Sequence, residues 1–149
     1  MRQAVLATLI VLLLAACGGG GGGGSSRLSK SEFDSKANEI CDKYQKKIND
    51  VPQPKNLKNI PAYIDKVLPI VEEGTSKLDD LQPPKDMQSK VDAWVTIQKG
   101  QVDQAKRLKA AAEKGDFAAV TKIANEADAS NKRGNDLARE IGATSCAQD

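Results

Sequence analysis

The chain has 149 residues, with 22 Lys and Arg against 20 Asp and Glu, no His, three Cys, and only one Trp, two Tyr and two Phe. A chain of this length buries roughly two-thirds of its unfolded surface, which allows one domain with a real core and makes two a stretch. Without His, the usual proton shuttle near neutral pH, Ser-His or Cys-His nucleophile activation and the commonest metal ligand are missing. A formal charge of +2 and so few rings also argue against a nucleic-acid partner.

Met1-Arg2-Gln3 places one positive charge before the apolar run Ala4 to Leu14, which ends at Ala15, Ala16 and Cys17. That is the layout of a secretory signal peptide. The 14 residues from Ala4 to Cys17 fall short of the roughly 17–25 that span a bilayer as a helix. Leu14-Ala15-Ala16-Cys17 resembles the lipobox of bacterial lipoproteins. The resemblance implies that residues 1–16 are a leader, that Cys17 is the lipidation site, and that cleavage leaves Cys17 as the acylated N-terminus. Membrane lipid is then one partner, and the location is extracytoplasmic, on the outer face of the cytoplasmic membrane or on an outer membrane where one exists. Two or more acyl chains anchor stably where one does so marginally. An ordinary secretion signal with a chance Cys, or an uncleaved short anchor, are the alternatives.

Gly18 to Gly24 are seven consecutive glycines, followed by Ser25-Ser26. This composition cannot bury apolar area, so residues 17–28 read as a flexible tether, holding the body about 15–20 Å from its anchor. With Cys17 assigned to lipid, Cys41 and Cys146 remain as an even pair in an oxidising compartment, and a disulfide between them is expected. Two unrelated buried thiols are the other possibility.

Residues 29–149 read as helices. Phe33, Ala37, Ile40, Cys41, Tyr44, Ile48 and Val51 follow helical spacing, with Ser29 and Glu32 at capping-box spacing and Pro52 and Pro54 as a stop. Asn59 is a candidate N-cap for a second helix carrying Ile60, Ile64, Val67, Leu68, Val71, Leu78 and Leu81. Pro69 should kink it, and with Gly74 could divide it in two. Pro83-Pro84 precedes a third helix with Met87, Val91, Trp94, Val95, Val102, Ala105 and Leu108 inward. Trp94 is placed to pack against Tyr63 or Phe33. Gly115-Asp116 reads as a C′ glycine followed by an N-cap. The fourth helix carries Val120, Ile123, Ala124, Ala127, Leu137, Ala138 and Ile141 on one stripe, interrupted by Ser130 and Asn131. Such a break marks a register-setting polar contact, a water site or the polar lining of a cavity.

No segment alternates with period two, so no sheet is expected. Short connections favour an all-α, up-down-up-down four-helix bundle tied by one disulfide. Helix lengths leave an offset of about 14 Å between Cys41 and the end of the fourth helix at 1.5 Å per residue. Four extended steps from Gly142 to Cys146 just cover it at roughly 3.3–3.6 Å each, so an early end to that helix is expected. Phe33-x3-Ala37-x2-Ile40-Cys41, Leu81-Gln82-Pro83-Pro84 and the lone Cys146 resemble, loosely, a pattern in small secreted helical proteins of actinomycete-type bacteria. That group has no established activity, so the resemblance supports the bundle and the bridge and implies no chemistry.

Few residues point to chemistry. Glu72-Glu73 and Asp79-Asp80 lie two turns apart, a spacing that could serve cation binding or acid–base work but more often forms a solvated face, here beside Lys77 and Lys85. Asp128 to Gly134 superficially matches a calcium loop, but Lys132 stands where an oxygen ligand belongs. Lys99, Lys106, Arg107, Lys109 and Lys114 form a basic stripe that could attract anionic lipid, broken by Asp103 and Glu113. No catalytic, cofactor-binding or metal-ligating set is expected, and no enzyme. The composite expectation is a non-catalytic envelope module that docks an envelope protein or wall polymer through a helix face. The alternative is a carrier of a small apolar or amphiphilic ligand between the helices, which requires a pocket of a few hundred Å³ or more.

Overall fold

A computed structural model describes residues 27–147, and Cys17, the leader and the glycine run lie outside the described residues. Four helices form, α1 (Lys30–Asn49), α2 (Ile60–Asp79), α3 (Gln88–Glu113) and α4 (Phe117–Ile141), with 3₁₀ turns at Leu57–Asn59 and Thr144–Cys146. There is no strand among the described residues, and the body is an all-helical bundle.

Local signals start and stop these helices. Ser29 Oγ accepts from the Glu32 N–H at 3.3 Å, while the Glu32 carboxylate accepts from the Ser29 N–H at 2.8 Å, so the capping box satisfies two orphan donors of α1. Asn59 occupies the N-cap of α2 but makes no side-chain cap; the 3₁₀ turn before it and Pro61 in the first turn set the helix direction instead. Gly115 adopts φ 67°, the left-handed conformation of a C′ residue, and Asp116 then accepts from the Ala119 N–H at 2.9 Å to open α4.

Helix α2 runs unbroken through Pro69 and Gly74 rather than dividing there. Pro69 is exposed, and Gly74 is buried because the Tyr44 ring of α1 lies against it. A Cβ at Gly74 would stand 3.0 Å from Tyr44 Cγ, so the glycine marks a close approach between helices.

The main core joins Phe33 and Ala37 of α1, Leu78 of α2, Val91, Trp94 and Val95 of α3, and Ala138 and Ile141 of α4. Trp94 shares this cluster with Phe33, whereas Tyr63 lies apart and accepts from Gln53 at 3.2 Å. A smaller cluster of Ala111, Val120 and Ile123 fills the turn between α3 and α4. On α4 the expected stripe departs at two places. Ala124 is exposed, and Gly134 is buried, where a Cβ would meet Ile97 Cγ2 at 3.4 Å.

Cys41 and Cys146 are bridged, with their Cα atoms 5.1 Å apart. The stretched link and early helix end do not occur. Helix α4 continues to Ile141, Gly142 reverses the chain at φ 85°, and residues 144–146 coil as a 3₁₀ turn. The physical reason is Asn38, three residues before Cys41. Its amide donates to the Gly142 carbonyl at 2.9 Å and its oxygen accepts from the Ser145 N–H at 2.7 Å, so the end of α4 is already level with that part of α1. Gly142→Ala is expected to cost at least about 1–2 kcal/mol, from the left-handed backbone alone. The added Cβ would also overlap the Asp34 carboxylate. A urea titration of the variant against the parent measures this loss.

Candidate functional site: a groove between α1 and α4

Helix α1 packs on α2, α2 on α3 and α3 on α4, while α1 meets the end of the chain mainly through the Thr144–Cys146 turn. The space left between α1 and α4 is a groove of about 740 Å³. Its opening follows from the sequence of α4. Between Ala127 and Leu137 that helix offers Asp128, Ser130, Asn131, Gly134 and Asn135, and no large apolar side chain that could reach α1.

The two sides differ. Cys41, Tyr44 and Ile48 of α1 and Val71, Gly74 and Leu78 of α2 make one wall. Gln98 and Gln101 of α3 and Asn131, Asn135 and Asp136 of α4 make the other, with Trp94 in the floor. The bridge and Ser145 close one end. Gln101 Nε2 donates to Asn131 Oδ1 at 2.8 Å, which ties α3 to α4 along the polar wall. Trp94 is fully buried, and its Nε1 has no hydrogen-bond partner, a condition that costs about 1–3 kcal/mol in a buried polar group. Lys132 and Arg139 both face Asp136, at 3.1 and 3.5 Å.

Tyr44 is fixed from three directions. Its ring rests on Gly74, its hydroxyl donates to Glu73 Oε1 at 2.6 Å, and Lys47 Nζ stands 4.6 Å from the ring centroid while lying 3.3 Å from Glu73 Oε2. The bond from Tyr44, followed by that from Lys47, holds the Glu73 carboxyl below its ordinary value of 4.5, and the same bond to Glu73 pushes the Tyr44 phenol above 10.0. The backbone bond from Ser29 likewise lowers Glu32. Bonds to Glu72 and Asp65 raise Lys106 and Lys109 above 10.5.

The signs fix a pH profile. A lowered carboxyl contributes stability that is complete above its unfolded pKa and is lost as pH falls through the lower folded value. A raised Tyr or Lys contributes below its unfolded pKa and loses that contribution as pH rises through the higher folded value. Melting temperature is therefore expected to hold level between these windows and fall below about pH 4.5 and above about pH 10. Glu73→Gln should shrink both limbs, and Glu32→Gln the acid limb alone; melts across pH measure this.

The other charged candidates are dispersed. Glu72 pairs with Lys106 at 2.8 Å and Asp79 with Lys99 at 2.8 Å, so the acidic doublets of α2 face separate lysines and converge on nothing. Lys109 pairs with Asp65 at 2.6 Å, and Arg107 meets Glu126, so the four basic side chains of the stripe within α3 are matched by carboxylates of its neighbours. Residues 128–134 are an internal part of α4, without the loop a calcium site needs. Among the described residues no group of three acidic, Cys or His side chains is placed to hold a metal, and no helix is long and apolar enough to cross a membrane.

Asn38 was not legible as a clasp, because an Asn within a helix gives no sign of a partner more than a hundred residues away. The break at Ser130 and Asn131, read first as a register-setting polar contact, carries the Gln101–Asn131 bond between α3 and α4, and of the pair Asn131 also lines the groove. Comparison with protein families, with curated proteins and with solved structures finds no match to this chain.

Proposed function

We propose that this chain is an extracytoplasmic lipoprotein, anchored through acylated Cys17, whose non-catalytic bundle holds a small amphiphilic ligand in the groove between α1 and α4. The observation that carries the ligand-holding role is the groove itself. Its volume of about 740 Å³ lies within the range of small-molecule sites, and it has an apolar wall facing a polar one. The lipobox-like Leu14-Ala15-Ala16-Cys17 and the glycine run support the anchor. The bundle is read as up-down-up-down, a reading supported by the ion pairs Asp79–Lys99, Glu72–Lys106 and Asp65–Lys109, in which residue numbers fall along α2 as they rise along α3.

A second reading, docking of an envelope protein or wall polymer, draws on Leu57 and Phe117, which are 45% and 59% exposed at the entries to α2 and α4. Intact-mass spectrometry of protein extracted from its native membrane tests the proposal. The expected mass lacks residues 1–16, carries acyl groups on Cys17, lacks two hydrogens for the bridge, and retains a small species when sprayed under native conditions. An intact leader without acylation would overturn the anchor, and a native spectrum without any small species would favour docking.

A further inference from the structure

We infer that the groove selects an electrically neutral amphiphile, with an alkyl body on the α1–α2 wall and hydroxyl groups on the α3–α4 wall. This rests on the reading of the groove as a ligand site and adds the ligand's chemical class.

Two observations converge on it. First, the walls are sided. Ile48, Val71 and Leu78 offer alkyl surface, whereas the facing wall carries the carboxamides of Gln98, Gln101, Asn131 and Asn135. A carboxamide both donates and accepts, as a hydroxyl does, so the two pair in either sense. The Gln101–Asn131 bond uses one of the two Gln101 amide hydrogens and one lone pair of Asn131, and so orients both groups along the wall.

Second, the charges of the groove cancel. Lys132 and Arg139 are set against Asp128 and Asp136, and Asp136 lies within ion-pair distance of both cations. The four side chains sum to no net charge, so a carboxylate or an ammonium entering the groove would lose hydration with no net field to offset the loss, which disfavours charged ligands. The alkyl wall from Cys41 to Ile48 spans roughly 10 Å at 1.5 Å per residue, the length of a chain of about eight carbons.

Trp94 is the only Trp of the chain and lines the groove, so its emission reports occupancy without a label. The test titrates the full oxidised chain, in detergent-free buffer, with octyl glucoside, octanoate and octyltrimethylammonium, each below its micelle concentration. A saturable change in Trp94 emission is expected with octyl glucoside, at least about tenfold tighter than with either ion. Gln98→Ala and Asn131→Ala, neither of them in the buried core, should bring octyl glucoside down towards the ions and leave the ions unchanged. Val71→Asn, which makes the alkyl wall polar without adding charge, should weaken all three, and if that variant fails to fold, the two amide variants still decide. Octanoate or the ammonium saturating as tightly as the glucoside would overturn neutral selection while leaving the groove a ligand site. If none of the three saturates, both readings fall together.

Discussion

Breaking the Cys41–Cys146 bridge, by a thiol reductant or by replacing both residues with Ser, is expected to remove about 3–5 kcal/mol of stability. The bridge joins residues 105 apart in sequence, and for a loop of that size the chain-entropy argument gives about 4.7 kcal/mol as its upper figure. The Asn38 clasp remains after reduction, because its bonds to Gly142 and Ser145 do not depend on sulfur, so the folded state should survive with its chain end still seated. At roughly 3–6 °C per kcal/mol for a domain of this size, the melting temperature should fall on the order of 10–30 °C. Oxidised and reduced protein melting within about 2 °C of each other would show that the bridge contributes little.

Phe33→Ala should be comparably severe, at about 3–5 kcal/mol, because Phe33 is fully buried and its ring packs in the cluster holding Trp94 and Ile141. The cavity would open beneath the first turn of α1, where the Ser29–Glu32 cap fixes the backbone and limits collapse into the void. Phe33→Leu, which conserves more of the volume, should cost less than about 1.5 kcal/mol. Phe117→Ala is the contrasting control. It removes the same ring from a side chain 59% exposed and should stay within about 0.5 kcal/mol of the parent. Urea titrations of the three variants, compared at constant m-value, measure the ordering.

The pattern of α1 was readable because its information is local. The cap at Ser29 and Glu32, the stripe from Phe33 to Tyr44 and the prolines after Asp50 lie within one helix of each other. The same holds for Gly115 and Asp116, whose conformations are set by neighbours three residues away. The partner of Cys41 was readable by elimination. What stayed hidden depends on where helices settle against each other. Gly74 reads as a helix breaker until the Tyr44 ring is seen lying on it. The offset that calls for a stretched link depends on where α4 begins relative to α1, which the sequence leaves open, and the Asn38 contacts show the two already level. The groove combines both kinds of information, since the apolar-poor stretch of α4 is in the sequence but its distance from α1 is not.

The pairing of Cys41 with Cys146 also sets an order of events during biosynthesis. A ribosome delivers the first helix well before its bonding partner, which follows 105 residues later. Until then Phe33 and Ala37 lack the Ala138, Ile141 and Ala143 surface that completes their burial, although α2 and α3 are already available to them. Contacts this distant along the chain form late and slow the approach to the native state. Cys41 therefore stays open to mispairing until the segment carrying Cys146 has followed it into an oxidising compartment.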